Sequence, residues 1–136
     1  MHKAGLNVLY TAWWLKTMVA RELKEFGLTH EQFNVMRILK GSHPQEMCIR
    51  DISCRMIERS SNVPRIMDRL VAKNLVKRAT SVADKRETVV SLTPAGIQLL
   101  DSANQEVSKV FEDKLSLDPV EAKELNSLLE RLRESE

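Results

Sequence analysis

Residues 60–96, SSNVPRIMDRLVAKNLVKRATSVADKRETVVSLTPAG, change periodicity twice, and those two changes set the architecture of the chain. From Ser61 to Lys73 the apolar residues Val63, Ile66, Met67, Leu70 and Val71 recur three and four apart, which predicts a helix with one buried face. Asn62, Arg65 and Arg69 then project from the opposite side. After Asn74 the pattern shortens: Leu75–Arg78 and Glu87–Leu92 are rich in β-branched residues, with alternation at Thr88, Val90 and Leu92. Two strands joined through Asp84-Lys85-Arg86 make a ribbon with a basic tip. Thr93-Pro94 restarts a helix, with Thr93 as N-cap oxygen and Pro94 at the first helical position, where a missing N–H costs nothing.

Charge is concentrated in the same stretch. Residues 60–90 hold seven Lys and Arg against three Asp and Glu, a local +4 in a chain of only +2, which leaves about −2 for everything else. Such clustering is an electrostatic footprint for a polyanion. A solvated charged face is the alternative for an isolated basic helix; the adjoining ribbon favours the nucleic-acid reading.

A helix followed by a ribbon in this order is a winged helix-turn-helix. Asp68-Arg69-Leu70-Val71, Lys73-Asn74-Leu75-Val76-Lys77-Arg78, the Asp84-Lys85-Arg86 tip and Val90-Ser91-Leu92-Thr93-Pro94-Ala95-Gly96 together resemble the MarR family of bacterial transcription regulators. The resemblance implies a mainly α fold with a small β-hairpin wing. It divides one domain, 1–136, into a winged DNA-binding lobe at about 29–93 and N- and C-terminal dimerisation helices at about 3–26 and 94–135. The implied function is sequence-specific binding of a double-stranded DNA operator by a homodimer, with repression as the commoner outcome and a small aromatic or phenolic ligand as releasing effector.

The flanking sequence is compatible. Leu6, Leu9, Tyr10, Trp13, Trp14 and Met18 stand at helical spacing within a helix from about Lys3 to Phe26, ended by Gly27. Thr29 with Gln32 is a capping-box signature for a helix over about His30–Lys40, with Phe33, Met36, Ile38 and Leu39 inward. Gly41-Ser42-His43-Pro44 reads as a turn. A third helix, about Ile49–Glu58 with Ile52, Met56 and Ile57 inward, pairs with the Ser61 helix as a helix-turn-helix joined near Arg59-Ser60. Beyond Pro94, Ile97, Leu100, Ala103, Val107, Val110 and Phe111 form a stripe to about Leu115. Asp118-Pro119-Val120-Glu121 caps a last helix to about Arg133, whose Leu125, Leu128, Leu129 and Leu132 either fold back on their own chain or pack on a partner.

The expected DNA contacts are Ser60, Ser61, Asn62, Arg65, Arg69, Lys73, Lys77, Asp84, Lys85 and Arg86. Ser61 and Asn62 can donate to phosphate or read base edges, and Arg65 is long enough for a bidentate guanine contact. Arg69 and Lys73 lie farther along and suit backbone contacts, although Arg69 could instead pair with a carboxylate of another helix. Arg86 would enter the minor groove, with Asp84 holding it by a charge-assisted hydrogen bond. Two such helices about one DNA turn apart, roughly 34 Å, require a pseudo-palindromic operator. Pro64 departs from the family pattern; with Ser61 as N-cap it is the third helical residue, still within the turn whose N–H groups lack intrahelical acceptors.

Other chemistries find little to work with. The 136 residues fit one domain of 43% hydrophobic composition, without an internal repeat or low-complexity segment. No apolar run approaches the roughly 20 residues that span a bilayer, and Asn7, Tyr10, Thr11 and Lys16 interrupt any signal-peptide pattern, so a cytoplasmic location and no membrane partner are expected. His2, His30 and His43 are scattered, and no phosphate loop or nucleophile motif is present, so neither an enzyme nor a cofactor is expected. Cys48 and Cys54 lack metal-ligand spacing; with Arg50 and Arg55 nearby they leave a thiol-based redox-sensing regulator as one alternative. A winged helix used for protein contacts is the other. Tyr10, Trp13 and Trp14 are the candidate effector contacts, by their aromatic surface with polar tips.

Overall fold

A computed structural model describes residues 1–59 and 61–134. Ser60, one of the expected DNA contacts, and residue 135, the end of the expected C-terminal helical segment, lie outside the described residues. The elements run α1 (His2–Leu23), a 3-10 turn (Lys24–Phe26), α2 (His30–Ser42), β1 (Met47–Cys48), α3 (Ile49–Arg55), α4 (Val63–Ala72), β2 (Val76–Thr80), β3 (Thr88–Leu92), α5 (Pro94–Lys114) and α6 (Pro119–Arg133). The fold is mainly helical with a small antiparallel sheet, a winged helix-turn-helix.

Local chemistry sets most boundaries. Gly27 closes the first helical segment at φ +63°, the left-handed conformation that glycine adopts without a Cβ penalty. Thr29 Oγ1 accepts from the Gln32 amide while Gln32 Oε1 accepts from the Thr29 amide, both at 3.2 Å. Asp118 and Glu121 form the same reciprocal cap on α6. α4 ends in a Schellman arrangement: Asn74 is left-handed at φ 58°, its N–H donates to Val71 O at 2.9 Å, and Leu75 N donates to Leu70 O at 3.0 Å.

Several boundaries differ from expectation. α2 continues through Gly41 and Ser42, and the turn begins at His43. α3 stops at Arg55, one turn early, because Met56 is extended and buried; Ile57 thus loses helical spacing and stands 78% exposed. α4 starts later, with Asn62 as N-cap and its Oδ1 accepting from the Arg65 amide at 3.2 Å. Pro64 is therefore the second helical residue, even farther from needing an acceptor. Val71 is partly exposed rather than inward.

The wing has three strands, ordered β1-β3-β2, with Met47 opposite Val90 and Val76 opposite Leu92. A two-residue strand has no alternation to read, so β1 has no signature in the sequence. β3 shows no alternation either. As the central strand it is covered on both faces, and Val89, Val90, Ser91 and Leu92 are all buried.

The core joins Val19 and Leu23 of α1, Phe33, Met36 and Leu39 of α2, Ile52, Val63, Met67 and Leu70 of the helix-turn-helix pair, Val90 of the wing, and Leu100, Ala103 and Val107 of α5. α5 enters over the turn after α4. An added Cβ on Gly96 would lie 2.0 Å from the Leu75 carbonyl oxygen, which accepts from the Thr93 amide at 3.0 Å. Only glycine permits that approach. By contrast, no residue of α6 is buried; Leu125, Leu128 and Leu132 are exposed, so this helix does not fold back into its own chain. Leu6, Leu9, Tyr10 and Trp13 are likewise exposed on α1. No helix among the described residues is long and apolar enough to cross a membrane.

Candidate nucleic-acid interface

α4 buries Val63, Met67 and Leu70 on one face, which leaves Asn62, Arg65 and Arg69 exposed on the other. Asn62 uses its carbonyl oxygen as the helix cap, so its amide nitrogen is the group left for an outside acceptor. The Ser61 hydroxyl is buried without a hydrogen-bond partner among the described residues, so it does not present itself to solvent as a DNA donor.

The basic residues of the stretch divide into two sets. Arg78 of β2 pairs with Asp68 of α4, which ties the wing to α4. Sequence reasoning counted Arg78 as charge and missed this brace, because the partners meet only when the hairpin folds against the helix. Lys73 does not point away from the protein: its Nζ donates to the Gly27 carbonyl and, at 3.2 Å, to Gln32 Oε1. Among the described residues Arg65, Arg69, Lys77, Lys85 and Arg86 make no ion pair, including the carboxylate pairing considered for Arg69.

The wing tip is built around Asp84. Its carboxylate accepts from the Arg86 amide at 2.9 Å, its own amide donates to Ser81 Oγ at 3.2 Å, and its carbonyl accepts from the Glu87 amide at 3.0 Å. A closing bond runs from Ser81 N to Glu87 O at 2.9 Å. The hydrogen bond expected between Asp84 and Arg86 is thus present, but at the backbone; the guanidinium is left free to reach outward. Arg50 approaches the tip end of the wing, 3.9 Å from Glu87.

A second feature lies behind α4. A cavity of about 380 Å3 opens between α1, α2, the loop after α3 and α5, with Ala12, Leu15, Val19, Met56, Ile57 and Phe111 as its apolar wall. Lys16, His30, Glu31, Asn34, Glu58 and Ser61 supply its polar edge. Lys16 pairs with Glu58 across that edge. The hydrogen bond to Glu58, with lesser help from the charges of Glu58 and Glu31, holds the Lys16 ammonium pKa above its ordinary value against the opposing effect of burial. Tyr10, Trp13 and Trp14 do not line this cavity; Tyr10 and Trp13 stack on the exposed side of α1 with ring centroids 5.7 Å apart. The lining comes from four separate segments, so no local motif could have announced it.

Cys48 precedes α3 and is half-buried, whereas Cys54 is exposed near its end. Six helical residues correspond to about 9 Å of rise, beyond the reach of a disulfide within one chain. Among the described residues, no three His, Cys, Asp or Glu side chains form a group able to hold a metal.

Comparison with known proteins agrees with this architecture. The MarR family model matches residues 28–88. The HTH-type transcriptional regulator YkoM of Bacillus subtilis is 31% identical over 81 residues, 60% of this chain and 51% of YkoM, so the match spans about half of that relative. The crystal structure of a MarR transcription factor from Planctomyces limnophilus superposes with a TM-score of 0.75 at 28% identity, over 97% of this chain and 94% of that one. A mutant MarR from E. coli complexed with operator DNA has the same fold, with a TM-score of 0.84 at 22% identity over 95% and 92% of the two chains. The winged helix and its braced wing are thus the architecture of MarR transcription factors of known structure, and the MarR family model matches the segment 28–88 that builds them.

Proposed function

We propose that the protein is a sequence-specific, double-stranded DNA-binding transcription regulator that binds a pseudo-palindromic operator as a homodimer and acts as a repressor. The observation that carries this reading is the pairing of Arg78 with Asp68, which links the strand leading to the basic wing tip with the helix whose exposed face carries Asn62, Arg65 and Arg69. Asn62, Arg65 and Arg69 would enter a major groove, and Lys85 and Arg86 the adjoining minor groove. Asp84 preorganises the tip, and Lys77 lies on the exposed strand leading to it. The lobe at about 29–93 reads DNA, while α1, α5 and α6 hold the dimer. The exposed leucines of α6 and the apolar side of α1 support that division.

Enrichment of duplexes from a random pool by the purified protein tests this directly. An inverted repeat with half-sites one helical turn apart is the expected product; weak binding indifferent to sequence would instead favour a winged helix used for protein contacts.

The cavity supports a second reading, in which a small aromatic effector seats against Leu15, Val19, Met56, Ile57 and Phe111 rather than against Tyr10, Trp13 and Trp14. Its wall includes the loop that leads into α4. A ligand there alters DNA affinity only if it prefers one lobe arrangement. Titration of aromatic acids into the protein-operator complex, with release as the expected result, checks this; Leu15→Trp, which fills the cavity, should abolish the response.

A further inference from the structure

The recognition helix is tethered at both ends, to α1 ahead of it and to the connection between α1 and α2 behind it. Ahead of it, Lys16 on α1 pairs with Glu58 in the loop that ends at the Asn62 cap, and His30 Nε2 lies 3.2 Å from the Lys16 carbonyl oxygen. The same loop is held to α2 by the Ile57 amide, which donates to Asn34 Oδ1 at 2.9 Å. Behind the helix, Lys73 is its C-cap residue and donates to the carbonyl of Gly27, the left-handed residue that follows the 3-10 end of α1. Its second acceptor, Gln32 Oε1, belongs to the capping box that opens α2 and is buried.

We propose that Lys16, Glu58 and Lys73 are positioning residues that hold α4 at a set angle to α1 and so determine which spacing between operator half-sites the dimer accepts. The inference rests on the dimeric DNA-reading function above and adds a specificity role to residues that need not touch DNA. The charges fit a brace better than a phosphate contact. Glu58 is an anion and cannot favour DNA, yet it completes one tether; two of the three Lys73 ammonium donors are already directed at protein oxygens. The leverage is sufficient. A ten-residue helix is about 15 Å long, so a tilt of roughly 13° moves one end by about 3.4 Å, the rise of a single base pair.

The test compares the wild-type protein with Lys16→Met, Glu58→Gln and Lys73→Met on the enriched inverted repeat and on versions with one base pair inserted or removed at its centre. The side chains exchanged are largely exposed, and thermal melts will verify that each variant folds. The wild type should prefer the original spacing at least tenfold, and each variant should compress that ratio severalfold with the salt dependence of binding unchanged. Glu58→Gln is the decisive variant, because removing a carboxylate cannot delete a phosphate contact. If every variant keeps the wild-type spacing ratio, or if Lys73→Met weakens all duplexes equally and lowers the salt slope by about one, the proposal fails while DNA reading stands. If the wild type itself selects no duplex, the DNA-reading function fails and takes the proposal with it.

Discussion

Between Leu28 and Leu92 the chain encloses Phe33, Met36, Leu39, Ile52, Met67, Leu70 and Val90 within its own fold, whereas α6 and the first half of α1 leave Leu6, Leu9, Trp13, Leu125, Leu128 and Leu132 to solvent. Both regions carry apolar residues at helical spacing. They differ in what lies opposite: in the lobe α2, α3, α4 and the sheet close on one another and on α1 and α5, while no residue of α6 is buried against its own chain. Periodicity thus reveals that a face seeks burial but not where the burying surface comes from. The lobe, closed by α5 and the second half of α1, should behave as a self-contained unit, and α6 with the first half of α1 as half of an interface.

The largest effect should come from the tightest contact of the single-chain core, where α5 meets the turn after α4. Gly96→Ala places a methyl against the Leu75 carbonyl and should cost about 4 kcal/mol of folding stability, seen as a melt lowered equally at every protein concentration. Leu70→Ala empties a fully buried site and should cost about 3 kcal/mol in the same measurement. Concentration-dependent losses for either variant would blur the contrast between the two regions. On the other side, Leu128→Lys with Leu132→Lys should raise the dimer dissociation constant at least a hundredfold, about 2.7 kcal/mol, by sedimentation. The helical content of the separated chains should stay close to that of the parent; collapse of the whole fold would show that the lobe is not self-contained.

DNA binding sharpens the same contrast. Arg86→Ala should weaken binding to an isolated half-site by roughly 1–3 kcal/mol and lower the salt slope by about one, whereas the α6 variant should lose affinity for the full operator and keep it for the half-site. Equal losses on both targets would merge the two roles. The smallest effect belongs to the α4 cap: Asn62→Ala should cost about 1 kcal/mol of stability, read by thermal unfolding, because the Arg65 amide loses its acceptor.

Much of this was legible in sequence. The recognition helix, the basic tip, the capping boxes at Thr29 and Asp118 and the restart at Thr93-Pro94 all rest on interactions within a few residues, and each stands in the structure. The misplacements are long-range in origin. β1 exists because two residues meet β3, and α3 ends early because Met56 turns into the core. Among the site residues, Arg65 and Arg69 occupy the face that spacing assigned them. The Ser61 hydroxyl is buried without a partner among the described residues, and Lys73 is turned to the Gly27 carbonyl and Gln32 because acceptors from a distant segment engage its ammonium.

The sequence by itself determined the order of elements, the residues with an apolar face and the concentration of positive charge between Ser60 and Val90, since these depend on side-chain pattern and backbone preference over short range. Only the tertiary structure decided which of those charges are free and which are occupied, Arg78 on Asp68 and Lys73 on Gly27 and Gln32. An ion pair requires two groups within about 4 Å, and residues separated by ten to forty-six positions reach that distance only through the packing of the whole chain.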